Sequence, residues 1–106
     1  MISQVLLIAL MASAQGNLAS ARTSYSKCLG AFAREQVKAG SDEAAFQAKL
    51  ATACKMEEAA FRSASIATDL ASKIARATAE RNATDEIGYI HENAVETFKA
   101  SLPAPK

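Results

Sequence analysis

The chain has 106 residues, the size of one small domain, with 12 basic and 11 acidic side chains mixed along its length. This near balance leaves no basic stripe that would meet a phosphate backbone, so nucleic acid is not expected as a partner. No strand-like alternation of apolar and polar residues is visible, and 25 residues are alanine, the best helix former. The composition therefore predicts a single all-α domain with a lean core.

An apolar run near the amino terminus, VLLIALMA at residues 5–12, has the length of a signal-peptide core. Residues 12–14 follow the small-x-small pattern that a signal peptidase cleaves, which predicts a signal peptide over residues 1–14 and a mature start at Gln15. No Lys or Arg precedes the run, so an uncleaved lipid-facing anchor and a buried first helix remain alternatives. The run is shorter than the about 20 residues that cross a bilayer, so no stable membrane span is expected.

Two cysteines surround the most turn-like residues of the following stretch. Cys28 and Cys54 lie thirteen residues on either side of Ser41, which follows Gly40. If two antiparallel helices meet at that turn, Cys28 comes level with Cys54, and we predict that a disulfide joins them across a helical hairpin. Disulfides persist in oxidising compartments, so this prediction and the predicted signal peptide both favour a periplasmic or secreted protein.

The first helix is predicted over residues 17–39, where apolar side chains recur at three- and four-residue steps. Gly40 suits the left-handed residue that follows a helix end. Gly30 is expected to let the partner helix approach closely near the disulfide. In the antiparallel register, Tyr25 comes level with Glu57.

The second helix is predicted to run unbroken from Asp42 to Arg81, with Ser41 as its cap, because this segment contains no Gly and no Pro. Glu58 and Arg62 form an acid-before-base pair at four-residue spacing, which is predicted to lie on an exposed face. Its apolar stripe is predicted to comprise Phe46, Leu50, Cys54, Met56 and Phe61, and then Ile66, Leu70 and Ile74 on a rotated face.

A third helix is predicted after a turn at residues 82–84. Continuing the apolar spacing beyond Ile74 misses the next apolar positions by about 140° of helix rotation, which favours a break. The third helix would run to about Ser101 and bury Ile87, Ile90, Ala94 and Phe98. Residues 102–106 contain two prolines and are predicted to be a disordered tail. The prediction for residues 15–101 is a disulfide-stapled hairpin plus a third helix, forming a small three-helix bundle.

The cysteines could instead form a redox-active or metal-binding pair. Redox dithiols usually lie two residues apart with one cysteine at a helix amino terminus, whereas Cys28 and Cys54 are predicted in mid-helix and far apart in sequence. His91 is the single histidine, and Glu92 and Glu96 do not follow it at the three- or four-residue spacing of helical metal sites. A structural disulfide is therefore favoured, and no catalytic residue, cofactor site or metal site is predicted.

These observations predict a non-catalytic structural or interaction module that binds an unknown envelope protein or self-associates. An exposed face containing Ile66, Leu70 and Ile74 would suit either role. The alternative is a small metal- or ligand-binding envelope protein that uses His91 with nearby carboxylates.

One resemblance supports the predicted compartment. The layout C…F…C-x-x-E-x-x-x-F, together with the short leader, resembles small exported helical proteins of proteobacteria that carry a cysteine pair. Its residues are Cys28, Phe46, Cys54, Glu57 and Phe61. The likeness covers the leader and the first two helices. It implies an exported helical fold and carries no activity.

Overall fold

The computed structural model describes the backbone of residues 2–103 and the side chains of residues 17–103. Within that range the chain forms four helices and no strand. The helices are α1 (Ile2–Lys38), α2 (Glu43–Leu50), α3 (Lys55–Ala71) and α4 (Arg76–Ser101). The three long helices α1, α3 and α4 pack against one another, and α2 packs against α4. The predicted all-α class is confirmed, but the bundle contains a short extra helix.

Helix α1 begins at Ile2 instead of residue 17, so its backbone includes most of the predicted signal peptide, residues 1–14. The side chains of that segment lie outside the described residues. At the other end, Gly40 has the predicted left-handed conformation, with φ of 74°. The amide of Gly40 donates to the Val37 carbonyl, and the next amide donates to the Gln36 carbonyl. This pair of bonds closes the helix end in the manner that favours glycine.

The cap of α2 is Asp42, whereas Ser41 had been expected. The Asp42 carboxylate accepts a hydrogen bond of 2.8 Å from the Ala45 amide. The Ser41 hydroxyl donates instead to the Gln36 side chain at 2.6 Å. Both residues still satisfy polar groups at the turn, but the helix starts one residue later.

The prediction of one unbroken helix from Asp42 to Arg81 is wrong. A first break occupies residues 51–54, where the amides of Thr52 and Ala53 donate three residues back and Cys54 adopts a φ of 57°. The left-handed conformation costs a residue with a side chain about 1–2 kcal/mol and is therefore not expected at a cysteine. The local sequence accordingly contains no signal that predicts this break.

A second break separates α3 from α4 at residues 72–75. Lys73 has a φ of 65°, and its amide donates to the Leu70 carbonyl while the Ile74 amide donates to the Asp69 carbonyl. This is the same bonding pattern as at the end of α1, with a lysine where glycine is usual. The change in helix phase inferred from the apolar stripe therefore occurs here.

The predicted turn at residues 82–84 is wrong, because these residues lie inside α4. Ala83 is fully buried. Its neighbours connect α4 to α3. The side-chain amide of Asn82 donates to the Asp69 carboxylate at 3.1 Å, and the Thr84 hydroxyl accepts from the Arg62 guanidinium at 3.0 Å. Asn82 and Thr84 thus form bonds between two helices.

Stacked aromatic rings form the centre of the core. The Phe46 ring of α2 lies between Phe32 and Phe98, with ring centroids 5.3 Å and 4.2 Å away. The buried apolar residues are Tyr25, Leu29, Ala33, Phe46, Leu50, Phe61, Ala79, Ala83, Ile87 and Phe98. Burial of Phe46, Leu50, Phe61, Ile87 and Phe98 confirms those positions of the predicted stripes, whereas the prediction for Met56 is wrong, because its side chain is 84% exposed.

The carboxyl-terminal boundary differs by one residue from the prediction. Leu102, which had been assigned to the disordered tail, packs against the core cluster. Residues 104–106 of that predicted tail lie outside the described residues. Across the described part of the chain, no helix combines the length and the apolar character needed to cross a membrane.

Candidate functional site

The first turn of α3 supplies side chains to two polar clusters. Cys54 is the residue that precedes α3, and Glu57 and Glu58 lie in its first turn. Adjacent residues on a helix point about 100° apart, so Glu57 faces the disulfide while Glu58 faces the interior of the bundle. One short stretch of sequence thereby positions both clusters.

We call the first group, formed by Cys28, Cys54 and Glu57, the disulfide cluster. The two Sγ atoms lie 2.02 Å apart and the two Cα atoms 6.0 Å apart, so the predicted pair is at disulfide distance. A carboxylate oxygen of Glu57 lies within 4.8 Å of both sulfur atoms. All three residues are half-buried. The Glu57 Oε2 atom is shielded from solvent and finds no hydrogen-bond partner among the described residues.

Two expectations about the cysteines need correction. Cys54 was expected in mid-helix, but it lies at the amino end of α3, where the helix dipole favours a thiolate. Gly30 was expected to permit the close helix approach, but a Cβ atom there would meet only the Arg34 side chain at 3.5 Å, an ordinary contact. The turn at residues 51–54, which ends at Cys54, brings the sulfur atoms together instead.

We call the second group, formed by Tyr25, Glu58 and His91, the tyrosine cluster. It joins α1, α3 and α4. The Tyr25 hydroxyl donates to Glu58 Oε1 at 3.2 Å and lies 2.9 Å from His91 Nε2. His91 Nε2 lies 3.3 Å from Glu58 Oε1, and Lys55 Nζ lies 3.5 Å from Glu58 Oε2. With the phenol hydrogen directed to Glu58, a hydrogen on His91 Nε2 completes the set of bonds.

Burial is the main cause of the altered pKa of Tyr25, whose side chain is only 1% exposed. Desolvation, followed by the negative charge of Glu58 and the hydrogen bond to it, raises the pKa of Tyr25 well above its ordinary value of 10.0. The phenol therefore stays protonated and can donate to the carboxylate. The cluster thus joins three helices through polar contacts beside the core.

The predicted partner of Tyr25 and the predicted exposure of Glu58 were both wrong. Tyr25 was expected opposite Glu57, but the turn at residues 51–54 rotates α3 so that Tyr25 meets Glu58. Glu58 and Arg62 were expected to form an exposed pair. The Glu58 side chain is only 14% exposed, and Arg62 donates to Thr84.

His91, Glu92 and Glu96 line an open groove of about 580 Å³ between α2 and α4. His91 directs Nε2 toward the tyrosine cluster, and Lys99 Nζ lies 3.6 Å from Glu96 and 3.9 Å from Glu43. Among the described side chains, only the disulfide cluster brings three ligating atoms within 4.8 Å of one another. The three groove residues therefore do not converge as a metal site.

A second groove, of about 790 Å³, runs between α1 and α3. We call it the small-residue groove because most side chains in its walls are alanine or serine. The walls include Ser20, Ala21 and Ser24 from α1 and Ala60, Ser63 and Ala64 from α3. Met56 also lines this groove and is 84% exposed. A large apolar side chain thus stands in solvent beside a shallow apolar groove.

Comparisons with known proteins found no matching family model, curated protein or solved structure. The resemblance to small exported helical proteins of proteobacteria therefore stays a prediction.

Proposed function

We propose that this protein is a non-catalytic exported module, located in the periplasm or outside the cell, that self-associates through the small-residue groove. The observation that carries the proposal is the exposure of Met56, a large apolar side chain that lines a groove whose other walls are mostly alanine and serine. Export is supported by the apolar run at residues 5–12 and by a cysteine pair at disulfide distance.

The walls of the groove suit a closely approaching helix. Ser20 and Ser24 are four residues apart on α1, and Ala60 and Ala64 are four apart on α3, so each pair lies on one helix face. Small side chains let a second backbone come near, and burial of apolar surface then favours contact. Among the described residues that line the groove, only Glu57 is charged, so the groove favours an apolar occupant.

A second copy of the chain provides such an occupant. In a two-fold dimer the same patch serves both partners, so the Met56 of each copy can enter the groove of the other. The flexible thioether side chain of methionine adapts well to irregular apolar gaps. A patch that contains both a protruding side chain and a receiving groove is therefore suited to self-association.

The size of the patch sets the expected strength of the dimer. The groove is lined by ten of the described residues, so on its own it provides less than the roughly 20–30 residues per partner of a standard stable interface. A weak dimer that forms reversibly with concentration is therefore expected. Burying one Met56 side chain contributes about 1.5–3 kcal/mol, and each dimer buries two, so Met56→Ser should raise the dissociation constant by roughly 100-fold or more.

Sedimentation equilibrium of the purified oxidised chain over a wide concentration range tests the proposal. The wild-type chain should dimerise, and Ala60→Glu should be monomeric because it places a charge inside the apolar groove. Ala59→Glu is the matched control. Both alanines are exposed on the same part of α3, but Ala59 is outside the groove lining.

Two outcomes would contradict self-association: a wild-type chain that is monomeric at every concentration, or equal dimerisation of the Ala60→Glu and Ala59→Glu variants. If the chain is monomeric, cross-linking in the native cell tests for a different envelope partner at the same groove. Mass spectrometry of exported protein tests the compartment separately. We expect cleavage after Ala14 and a mass two hydrogens below that of the dithiol.

A further inference from the structure

We propose that, once the disulfide is reduced, Cys28, Cys54 and Glu57 bind a single zinc ion. The disulfide cluster would then be a redox-controlled metal site, closed while the cysteines are bonded and open after reduction. The site shares Glu57 with the lining of the small-residue groove, but zinc binding does not require self-association. It rests on the positions of three donor atoms and on one unpartnered buried oxygen.

The donor set suits Zn²⁺. Its two thiolates and one carboxylate are all common zinc ligands, and a zinc site with three protein ligands completes its coordination with water. Their ligating atoms already lie within 4.8 Å of one another. A purely soft ion such as Cu⁺ gains less from a carboxylate, so the oxygen donor favours zinc.

The backbone positions of the cysteines can accommodate both states. In a tetrahedral site with Zn–S bonds of about 2.3 Å, the two sulfur atoms lie about 3.8 Å apart. The Cys28 and Cys54 Cα atoms are 6.0 Å apart, so rotation of the two side chains can widen the sulfur separation from 2.02 Å. Movement of the helices is not required.

A cation would balance the negative charge of the reduced cluster when its ligands are deprotonated. In the oxidised state Glu57 Oε2 is shielded from solvent and has no hydrogen-bond partner among the described side chains. Reduction leaves two thiols beside that carboxylate, and loss of their protons on zinc binding would place three negative charges at the amino end of α3. The helix dipole offsets only part of a unit charge, whereas a divalent ion neutralises most of the cluster.

The redox step needs a reductant, which we specify as a dithiol. The dithiol transfers two electrons and two protons, its own sulfur atoms form a disulfide, and the Cys28–Cys54 bond breaks to give two thiols. Zinc binding then releases both thiol protons to solvent, and the metal keeps its oxidation state. Reoxidation by a disulfide, which takes up two electrons and becomes a dithiol, re-forms the Cys28–Cys54 bond, withdraws both sulfur ligands and releases the ion.

Zinc competition with a chromophoric chelator tests the site in metal-free mature protein. A phosphine is used as the reductant because it leaves no competing thiol. We expect the reduced protein to bind one equivalent of zinc at least 100-fold more tightly than the oxidised protein. With cobalt as the probe, reduced protein should show the near-ultraviolet charge-transfer absorption of thiolate ligands.

Variants assign the ligands. Cys28→Ser should abolish the cobalt charge-transfer signal of a two-thiolate site, and Glu57→Gln should weaken zinc binding at least tenfold, whereas Glu57→Asp should retain part of the affinity. Glu92→Gln, an exposed change on α4, should bind like the wild type. Circular dichroism with and without zinc checks that each variant folds.

The proposal would be overturned by equal zinc binding to oxidised and reduced protein, by no binding to the reduced protein, or by full affinity in a folded Glu57→Gln variant. A zinc affinity that is lost in His91→Ala but kept in Glu57→Gln would instead place the ion in the groove between α2 and α4.

Discussion

Reduction of the Cys28–Cys54 bond should remove a large share of the stability of the fold. The bond closes a loop with a sequence separation of 26 residues. Restricting the unfolded chain by a loop of that length contributes about 3.5 kcal/mol in the chain-entropy description. In a domain of this size, 1 kcal/mol shifts the melting temperature by about 4–8 °C, so reduction should lower it by roughly 15–25 °C.

Urea unfolding followed by circular dichroism measures this effect. The oxidised chain is compared with the chain reduced by a phosphine, with a chelator present so that no metal binds. Since both samples have the same sequence, the difference isolates the cross-link. A Cys28→Ala/Cys54→Ala variant, measured with and without the phosphine, controls for effects of the reductant and should not respond to it.

The dependence on urea should change as well. A cross-linked unfolded chain is more compact and exposes less surface, so the oxidised protein should have the smaller m-value. A stability difference below about 1 kcal/mol with equal m-values would refute the reasoning. It would mean that the unfolded chain already holds Cys28 near Cys54, so that the bond restricts little.

Three further predictions concern single side chains. Asp42→Ala should lower the free energy of unfolding by about 1 kcal/mol, because the Ala45 amide loses its hydrogen-bond acceptor. Lys73→Gly should raise the free energy of unfolding by about 0.5–1 kcal/mol, because glycine adopts the positive φ without strain. Urea unfolding measures both changes. The raised pKa of Tyr25 contributes stability that is complete below its ordinary value of 10.0 and is lost as the pH rises toward the folded pKa. Unfolding titrations above about pH 10 should show stability falling by up to about 1.4 kcal/mol per pH unit more in wild type than in Tyr25→Phe. Equal pH dependence of the two proteins would contradict that assignment.

Much of the fold was predictable because local chemistry and tertiary structure agree. Gly40 marks the end of α1 with the backbone freedom that a left-handed residue requires. Large apolar side chains at helical spacing predicted the burial of Phe46, Phe61 and Phe98. The pairing of Cys28 and Cys54 followed from their equal distances to that one recognisable turn.

The two missed breaks have a common physical cause. Cys54 and Lys73 adopt positive φ angles although neither is glycine, and the surrounding contacts must offset that cost. An alanine-rich segment has a high helix propensity throughout, so its sequence contains no local signal where packing ends a helix. The position of Lys73 in a glycine-type helix end could be recognised only from the hydrogen bonds around it.

The tyrosine cluster was beyond prediction for the same reason. Its members come from three helices, and their meeting depends on the rotation of α3 that the turn at residues 51–54 produces. A reading one residue out of register pairs Tyr25 with Glu57 and leaves Glu58 in solvent. Adjacent residues on a helix point about 100° apart, so a shift of one residue decides whether Glu57 or Glu58 faces the core and which of the two faces the disulfide.

The shortness of α2 has a consequence for how the chain folds. Eight residues are too few for a helix to persist alone, since isolated helices below about 12–15 residues are marginal in water. Its order depends on Phe46, which stacks between rings on α1 and α4. Formation of α2 must therefore follow, or coincide with, the docking of those two helices. In native-state hydrogen exchange its amides should open as one unit, linked to release of the Phe46 ring.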